Sequence, residues 1–226
     1  MKQEDTRKKI LAKALELFSQ RGYDAVSVGD IAAAVGVKAP SLYNHFSGKR
    51  AIFDAIVEAA AEQYEQDTAK ISIHVQDASR DFSVFEEITE DALFEKVRQI
   101  FAYSLHDETI CRLRKMLTLE QFRSPELAAL YSHRYVERLV AYHAAIFRDL
   151  IAAGCIQDGD PEALALLYVA PINALIGICD RQPDREEECL QKLRGHVHAF
   201  FRLVQPPCSA QPAELPAYSE REGLTL

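Results

Sequence analysis

"SVGDIAAAVGVKAPSLYNHFSGK", residues 27–49, decides how the rest of the chain is read. Ser27-Val28-Gly29-Asp30 has the spacing of a capping box, with Asp in place of Glu, so a helix starts there. Ile31, Ala32 and Val35 face inward from that helix, and Gly36-Val37-Lys38 makes a turn. A short helix is predicted over Ala39 to Phe46, and Ser47 is placed to cap the next one. Two helices of about eight residues joined by a Gly-containing turn have helix-turn-helix proportions. On the second of them Leu42 and Phe46 share one face. Pro40, Ser41, Tyr43 and Asn44 point away from it, and His45 lies at the flank. On a free-standing helix that outward set is a solvated face; in a helix-turn-helix frame it is the face that touches something.

Helical period continues on both sides. Upstream, Ile10, Leu11, Ala14, Leu15 and Phe18 make the apolar stripe of a helix over about Thr6 to Arg21, and Gly22 suits a left-handed stop. Downstream, Ile52, Phe53, Ile56, Val57, Ala60 and Tyr64 share one side of a fourth helix. Residues 71 to about 88 have weak period and read as a helix end plus a loop. Helix resumes from about Ile88 to His106 and from about Thr109 to Phe122. Ser124-Pro125-Glu126 is a start signal for a long helix that ends at Gly154. Asp160-Pro161-Glu162 opens another, and Asp184 opens the last, to about Val204. No segment sustains strand alternation. The expected fold is all-α with about nine helices: a small N-terminal domain over residues 1–50, a larger helical domain over 51–204, and a proline-rich tail over 205–226 read as disordered.

The 226 residues suffice for a sizeable core, and 48% hydrophobic with 27% charged residues reads as soluble and globular. The N-terminus is charged rather than apolar, which is unlike a signal peptide. The longest apolar run, Ala163 to Cys179, contains Pro171, Asn173 and Gly177 and is shorter than the roughly 20 residues of a membrane span, so it reads as a buried helix with no membrane partner. Cys111, Cys155, Cys179, Cys189 and Cys208 are scattered, odd in number and without a CxxC, which fits free thiols in a reducing, cytoplasmic setting. A net charge of −8 argues at first against nucleic acid. Residues 1–60, however, carry nine Lys/Arg against seven Asp/Glu, while residues 61–226 carry 17 against 27. A polyanion would meet the N-terminal part.

The stretch "ILAKALELFSQRGYDAVSVGDIAAAVGVKAPSLYNHFSGKRAIFDAIV" resembles the DNA-binding domain of the TetR family of bacterial transcriptional regulators. Its "A…LF…GY" first helix, "S-V-x-D-I-A-x-x-x-G-V" and "L-Y-x-H-F-x-x-K" carry the likeness, over about a quarter of the chain. The resemblance implies a cytoplasmic homodimer, joined through its last two helices, that sets one short helix per subunit in the major groove of a palindromic operator. It implies phosphate contacts from Tyr43, His45 and Lys49, with Ser27 able to join them at its helix start. Lys38, Ala39, Pro40, Ser41 and Asn44 are left to meet base edges. Lys38 stands where the family often has a capping Ser, and a cation there opposes the helix dipole. Gly29 stands where the family often has a side chain that reaches the groove.

For the C-terminal helices the resemblance implies a pocket for a small-molecule effector that releases DNA, hence a ligand-responsive repressor; an activator of the same family or a thiol-based redox sensor are the alternatives. The run from Ala163 to Cys179 and the stripe Leu190, Leu193, Val197, Phe200, Phe201 and Val204 suit the dimer interface. Asn173 is the lone polar side chain of its apolar run and needs a buried partner, and Pro171 is expected to kink that helix. His143 lies on the apolar face of Val136, Leu139, Val140, Phe147 and Leu150. Phe101, Met116, Glu120, Tyr135, Phe147 and Tyr168 complete the candidate ligand contacts. His196 and His198 with Cys189 nearby are no metal site by spacing, since i and i+2 on a helix point to different faces. No Gly-rich phosphate loop, HExxH or nucleophile motif marks an enzyme, and no cofactor or metal is expected.

Overall fold

The structure is a computed structural model that describes residues 2–206, so the proline-rich tail predicted over 205–226 lies outside the described residues from 207 onward. Among the described residues there are helices and no strand. In chain order they are α1 (Lys2–Arg21), α2 (Val28–Val35), α3 (Ala39–Tyr43), α4 (Lys49–Ala69), a short α5 (Phe82–Glu86), α6 (Glu90–His106) and α7 (Glu108–Glu120). Then come α8 (Pro125–Ser132), one turn of π-helix (His133–Glu137), α9 (Arg138–Ala152), α10 (Pro161–Arg181) and α11 (Glu186–Val204). The expected all-α architecture is present. It has two more helical segments than expected because α5 forms inside the weakly periodic stretch and the π turn divides the long helix after Ser124.

The start signals act through side chains. Thr89, Asp107, Ser124 and Asp160 each accept a hydrogen bond from a backbone N–H of the helix they open. Three details differ from the sequence reading. The residue before α4 is Gly48, with no side-chain cap, so Ser47 does not serve that helix. α3 ends at Tyr43, and the N–H groups of His45 and Phe46 turn back onto the Leu42 carbonyl at 2.9 and 3.1 Å, so the predicted eight-residue helix is a short helix plus a tight turn. The last helix begins after a 3-10 turn, at Glu186 rather than Asp184.

Two cores form. In the first, Ile10, Ala14 and Phe18 of α1 meet Ile31 of α2, Leu42 of α3, Phe46, and Ile52, Phe53 and Ile56 of α4. Ile110, Leu113, Met116 and Leu117 of α7 close it from the other side. The second core gathers Phe101 of α6, Ile146 and Phe147 of α9, Tyr168 and Val169 of α10, and Leu193, Val197 and Phe200 of α11. Tyr64 of α4 packs against both.

A tight joint ties α7 to the corner between α1 and α2. Gly22 has φ +86°, and a Cβ there would sit 2.3 Å from Glu120 Oε1. That same oxygen accepts a hydrogen bond from the Tyr23 N–H at 3.1 Å. Only glycine fits, both for its φ and for the carboxylate beside it.

α10 is long and apolar enough to cross a membrane by length and composition, yet it packs between α9 and α11. It continues through Pro171 as one helix. It is not buried all round as its composition predicts: Leu166 and Leu167 are 51% and 56% exposed, on a face shared with Ala163, Ala170 and Ala174. Beyond it, Gly195, Ala199 and Leu203 of α11 are exposed too.

Candidate nucleic-acid interface and effector cavity

The helix-turn-helix is set by its caps. Ser27 Oγ accepts from the Asp30 N–H at 3.1 Å, while the Asp30 carboxylate accepts from the Ser27 N–H at 2.8 Å and from its hydroxyl at 2.5 Å. Those bonds hold the Asp30 carboxyl below the usual carboxylate range. Ser27 therefore gives both its hydrogens to the cap. Gly36, at φ +79°, closes α2 with its N–H on the carbonyls of Ala32 and Ala33. Leu42 is fully buried and Phe46 nearly so, which presents the other side of α3 outward.

On that side Lys38, Pro40, Ser41, Tyr43 and Asn44 are exposed, Tyr43 to 55%, while Ala39 and His45 are half-buried. Lys38 occupies the N-cap of α3 in extended conformation and makes no capping bond. Lys49 is placed differently from the rest. Its ammonium lies 4.3 Å from the Tyr23 ring centre and donates to the carbonyls of Tyr23 and Asp24 at 3.0 and 3.4 Å. It braces the α1–α2 corner, and of its three N–H donors one remains for anything else. Gly29 is exposed, and an added Cβ would make only an ordinary contact with Ser27 Oγ. Next to Lys49, Arg50 bridges from α4 to α8 through both guanidinium nitrogens on the Glu126 carboxylate, with its Nε on Asp54 at 2.7 Å. The sequence offered no sign of this long-range tie.

Above the first core lies a cavity of about 760 Å³, walled by α4, α6, α7, the π turn, α9 and α10. Of the candidate ligand contacts, Tyr135, His143, Tyr168 and Asn173 line it. Phe147 lines a second cavity of about 330 Å³, which shares His143 and Tyr168 with the first. Phe101, Met116 and Glu120 line neither. Phe101 and Met116 are filled into the two cores, and Glu120 is the strut at Gly22. Apolar period alone cannot separate a core position from a cavity wall.

The polar wall is organised. Asn173 Nδ2 donates to the Tyr135 carbonyl at 2.6 Å, the buried partner its position demanded. His143 Nδ1 lies 2.8 Å from the Leu139 carbonyl, which makes Nδ1 the protonated nitrogen and leaves Nε2 an acceptor. Burial lowers its pKa to about 4. Arg114, nearly inaccessible, forms a forked pair with Asp180 at 2.6 and 2.8 Å and donates to the Ser104 carbonyl. Asp81, wholly buried beside the second core, accepts from the Tyr142 hydroxyl, the His74 N–H and His74 Nδ1, each at 2.5 Å. Arg134 reaches across from the π turn to the Ala60 carbonyl of α4 at 3.1 Å. The partners of Asn173, Asp180, Tyr142 and Arg134 are all distant in sequence. The one available signal was Arg134 and Arg138, four apart and therefore on one face, flanking Tyr135.

His196 and His198 are held apart, as their spacing predicts: His196 Nε2 is 2.9 Å from the Tyr168 carbonyl and His198 Nδ1 is 2.8 Å from Glu90. Cys179 is a buried thiol that burial and the neighbouring Cys189 push up to about 12. It stays protonated at neutral pH, unlike a reactive thiolate.

The geometry is a helix-turn-helix with an exposed polar face, fastened to a larger helical body that contains a cavity. Residues 10–56 match the family model described as bacterial regulatory proteins, tetR family. Across 54 residues, 24% of this chain and 26% of the relative, the sequence is 41% identical to the HTH-type transcriptional repressor ComR of Escherichia coli K12. The chain thus spans about a quarter of that curated relative's length. The fold matches over nearly its whole extent. MexZ of Pseudomonas aeruginosa, a repressor responsible for antibiotic resistance, superposes with a TM-score of 0.69 at 17% identity, covering 90% of this chain and 96% of that one. The flavonoid-responsive regulator FrrA superposes with a TM-score of 0.60 at 21% identity, covering 91% and 100%. The N-terminal domain is thus similar to that of the TetR family of bacterial transcriptional regulators, and the whole chain shares the fold of solved proteins of that kind.

Proposed function

We propose that the protein is a ligand-responsive repressor that binds a palindromic operator as a homodimer through residues 1–50 and is released by a small molecule held in the larger helical domain, residues 51–204. The observation that carries this reading is the position of the cavity. Its wall includes Tyr64 of α4, the helix that also completes the first core, and Arg134, whose guanidinium holds the backbone of α4 at Ala60. A molecule in the cavity touches a helix that shares the first core with α3. If it favours a different spacing of the two reading helices, it lowers DNA affinity by that difference in binding free energy. The relatives support the two halves: ComR is named a repressor, and FrrA is named flavonoid-responsive.

On the DNA, Tyr43, His45 and the remaining donor of Lys49 take phosphates. Lys38, Ala39, Pro40, Ser41 and Asn44 face base edges, and Ser27 adds its helix start. Lys38, exposed and uncapped at the positive end of α3, gains from a phosphate or guanine what the dipole denies it. The apolar face of α10 with α11 makes the dimer, and the protein works in the cytoplasm. A gel shift with the DNA upstream of its own gene tests the reading. Sequence-specific binding is expected at moderate salt, and its absence with and without small-molecule extracts refutes it. Tyr43→Phe weakens binding to every sequence, whereas Asn44→Ala relaxes preference at one base pair, costing roughly 1–3 kcal/mol of discrimination.

A further inference from the structure

The π turn and the first residue of α9 place two polar groups in the wall of the large cavity without partners among the described residues. Tyr135 Oη and Arg138 Nε are both buried and bond to nothing among the described residues, and both residues line the cavity. Buried donors are almost always satisfied, and leaving one bare costs of order 1–3 kcal/mol. Two of them, one on the π turn and one at the start of α9, beside an open volume, form a binding feature left ready. π turns of this kind recur at functional sites because the extra residue re-aims its neighbours.

The charge around them points the same way. Arg134 and Arg138 flank Tyr135, and neither has a carboxylate partner among the described residues. The two carboxylates in the cavity lining are already engaged: Asp180 with Arg114, and Glu186 with His106 at 2.9 Å. Burial raises the Tyr135 hydroxyl to about 12, so at neutral pH it is a donor. The remaining wall supplies rings, among them Tyr142, His143 and Tyr168.

We propose that this turn is an anion subsite and that the effector is an organic anion: an aromatic carboxylate whose head is held by Tyr135 Oη and the guanidinium groups of Arg134 and Arg138, with its apolar body among the rings. This rests on the effector-binding reading above and specifies its chemistry. An oxyanion takes up both orphan donors at once and offsets one of the two guanidinium charges there. A cationic ligand would face two guanidinium groups and is excluded. The volume of about 760 Å³ admits a molecule of several rings.

Calorimetric titration of the full chain with a set of aryl carboxylates, from benzoate to three-ring acids, each beside its neutral amide, tests the proposal. At least one acid is expected to bind ten-fold or more tightly than its amide, with the gap narrowing as salt is added. In Tyr135→Phe and Arg138→Gln the acid's advantage should fall to two-fold or less while amide affinity is unchanged. Tyr135→Phe removes a hydroxyl with no partner, so its Tm should equal or exceed that of the parent, which separates lost binding from lost folding. Amides that bind as tightly as acids overturn the anion subsite and leave the effector cavity standing. No binding by any member of either series, with operator binding intact, overturns both.

Discussion

His143 is a titratable side chain kept neutral by its place between the two cavities. Its ordinary value of 6.5 falls to about 4 because burial penalises the charged ring, with the Leu139 carbonyl opposing only in part. Between those two pH values the unfolded chain binds more protons than the folded one, so stability rises with pH there and is lost as the pH falls from about 6.5 towards 4. Denaturant unfolding at pH 7.5 and at pH 5 should show the parent losing about 2 kcal/mol more than His143→Asn, which keeps a donor for Leu139 and has nothing to titrate. Equal losses in the two proteins would place the ring in contact with water. Arg114 presents the opposite case, a charge that stays charged because its partner is fixed. Asp180→Ala leaves that guanidinium buried and unpaired and should cost about 3 kcal/mol in the same measurement.

Among the elements, the corner between α1 and α2 carries more of the design than its length implies. Gly22 supplies a left-handed residue, Glu120 of α7 sits where a side chain would go, and Lys49 holds the next two carbonyls. Gly22→Ala should therefore destabilise by more than about 2 kcal/mol, beyond the penalty for φ alone. Gly29→Ala, with only an ordinary contact, should change the Tm little. Thermal melts of the two variants side by side check both. The contrast also shows what was legible in the sequence. Caps such as Ser27, Ser124 and Asp160 are local, because a side chain bonds to an N–H two or three residues on, so helix starts and the helix-turn-helix could be read directly. Gly22 could be read as a stop but not as a socket for Glu120, because that partner is 97 residues from Tyr23. For the same reason the sequence does not separate Glu120, Met116 and Phe101 from ligand contacts: a buried polar or apolar residue on a helix looks alike in sequence whether it meets a cavity or another helix. Asn173 was legible because one polar group in an apolar run must have a partner, whereas nothing in the sequence marks Arg134 and Arg138 as part of a cavity wall.

At the scale of the molecule, one feature of the single chain is unfinished. Leu166, Leu167 and Leu203 stand about half exposed, and Ala163, Ala170, Ala174, Gly195 and Ala199 continue the surface between them on α10 and α11. Small residues beside leucines let helices of a second copy approach closely, and an apolar patch of this extent is normally covered. An isologous contact here is self-complementary, so one mutation acts twice across the two-fold axis. In the proposed dimer such a contact would also set the distance between the two α3 helices, which on a palindromic operator must match about 34–36 Å. Leu167→Glu should therefore abolish the dimer in analytical ultracentrifugation while leaving the helical circular dichroism unchanged, since the side chain takes no part in either core. Its affinity for a full operator should fall at least about 100-fold, towards that of one half-site, because the second reading helix is no longer held at high effective concentration. Tyr43→Phe provides the control. It should weaken the same DNA binding while sedimenting as the parent dimer, so the two losses can be assigned to different surfaces. A Leu167→Glu protein that remains a dimer with full operator affinity would mean that another face joins the subunits.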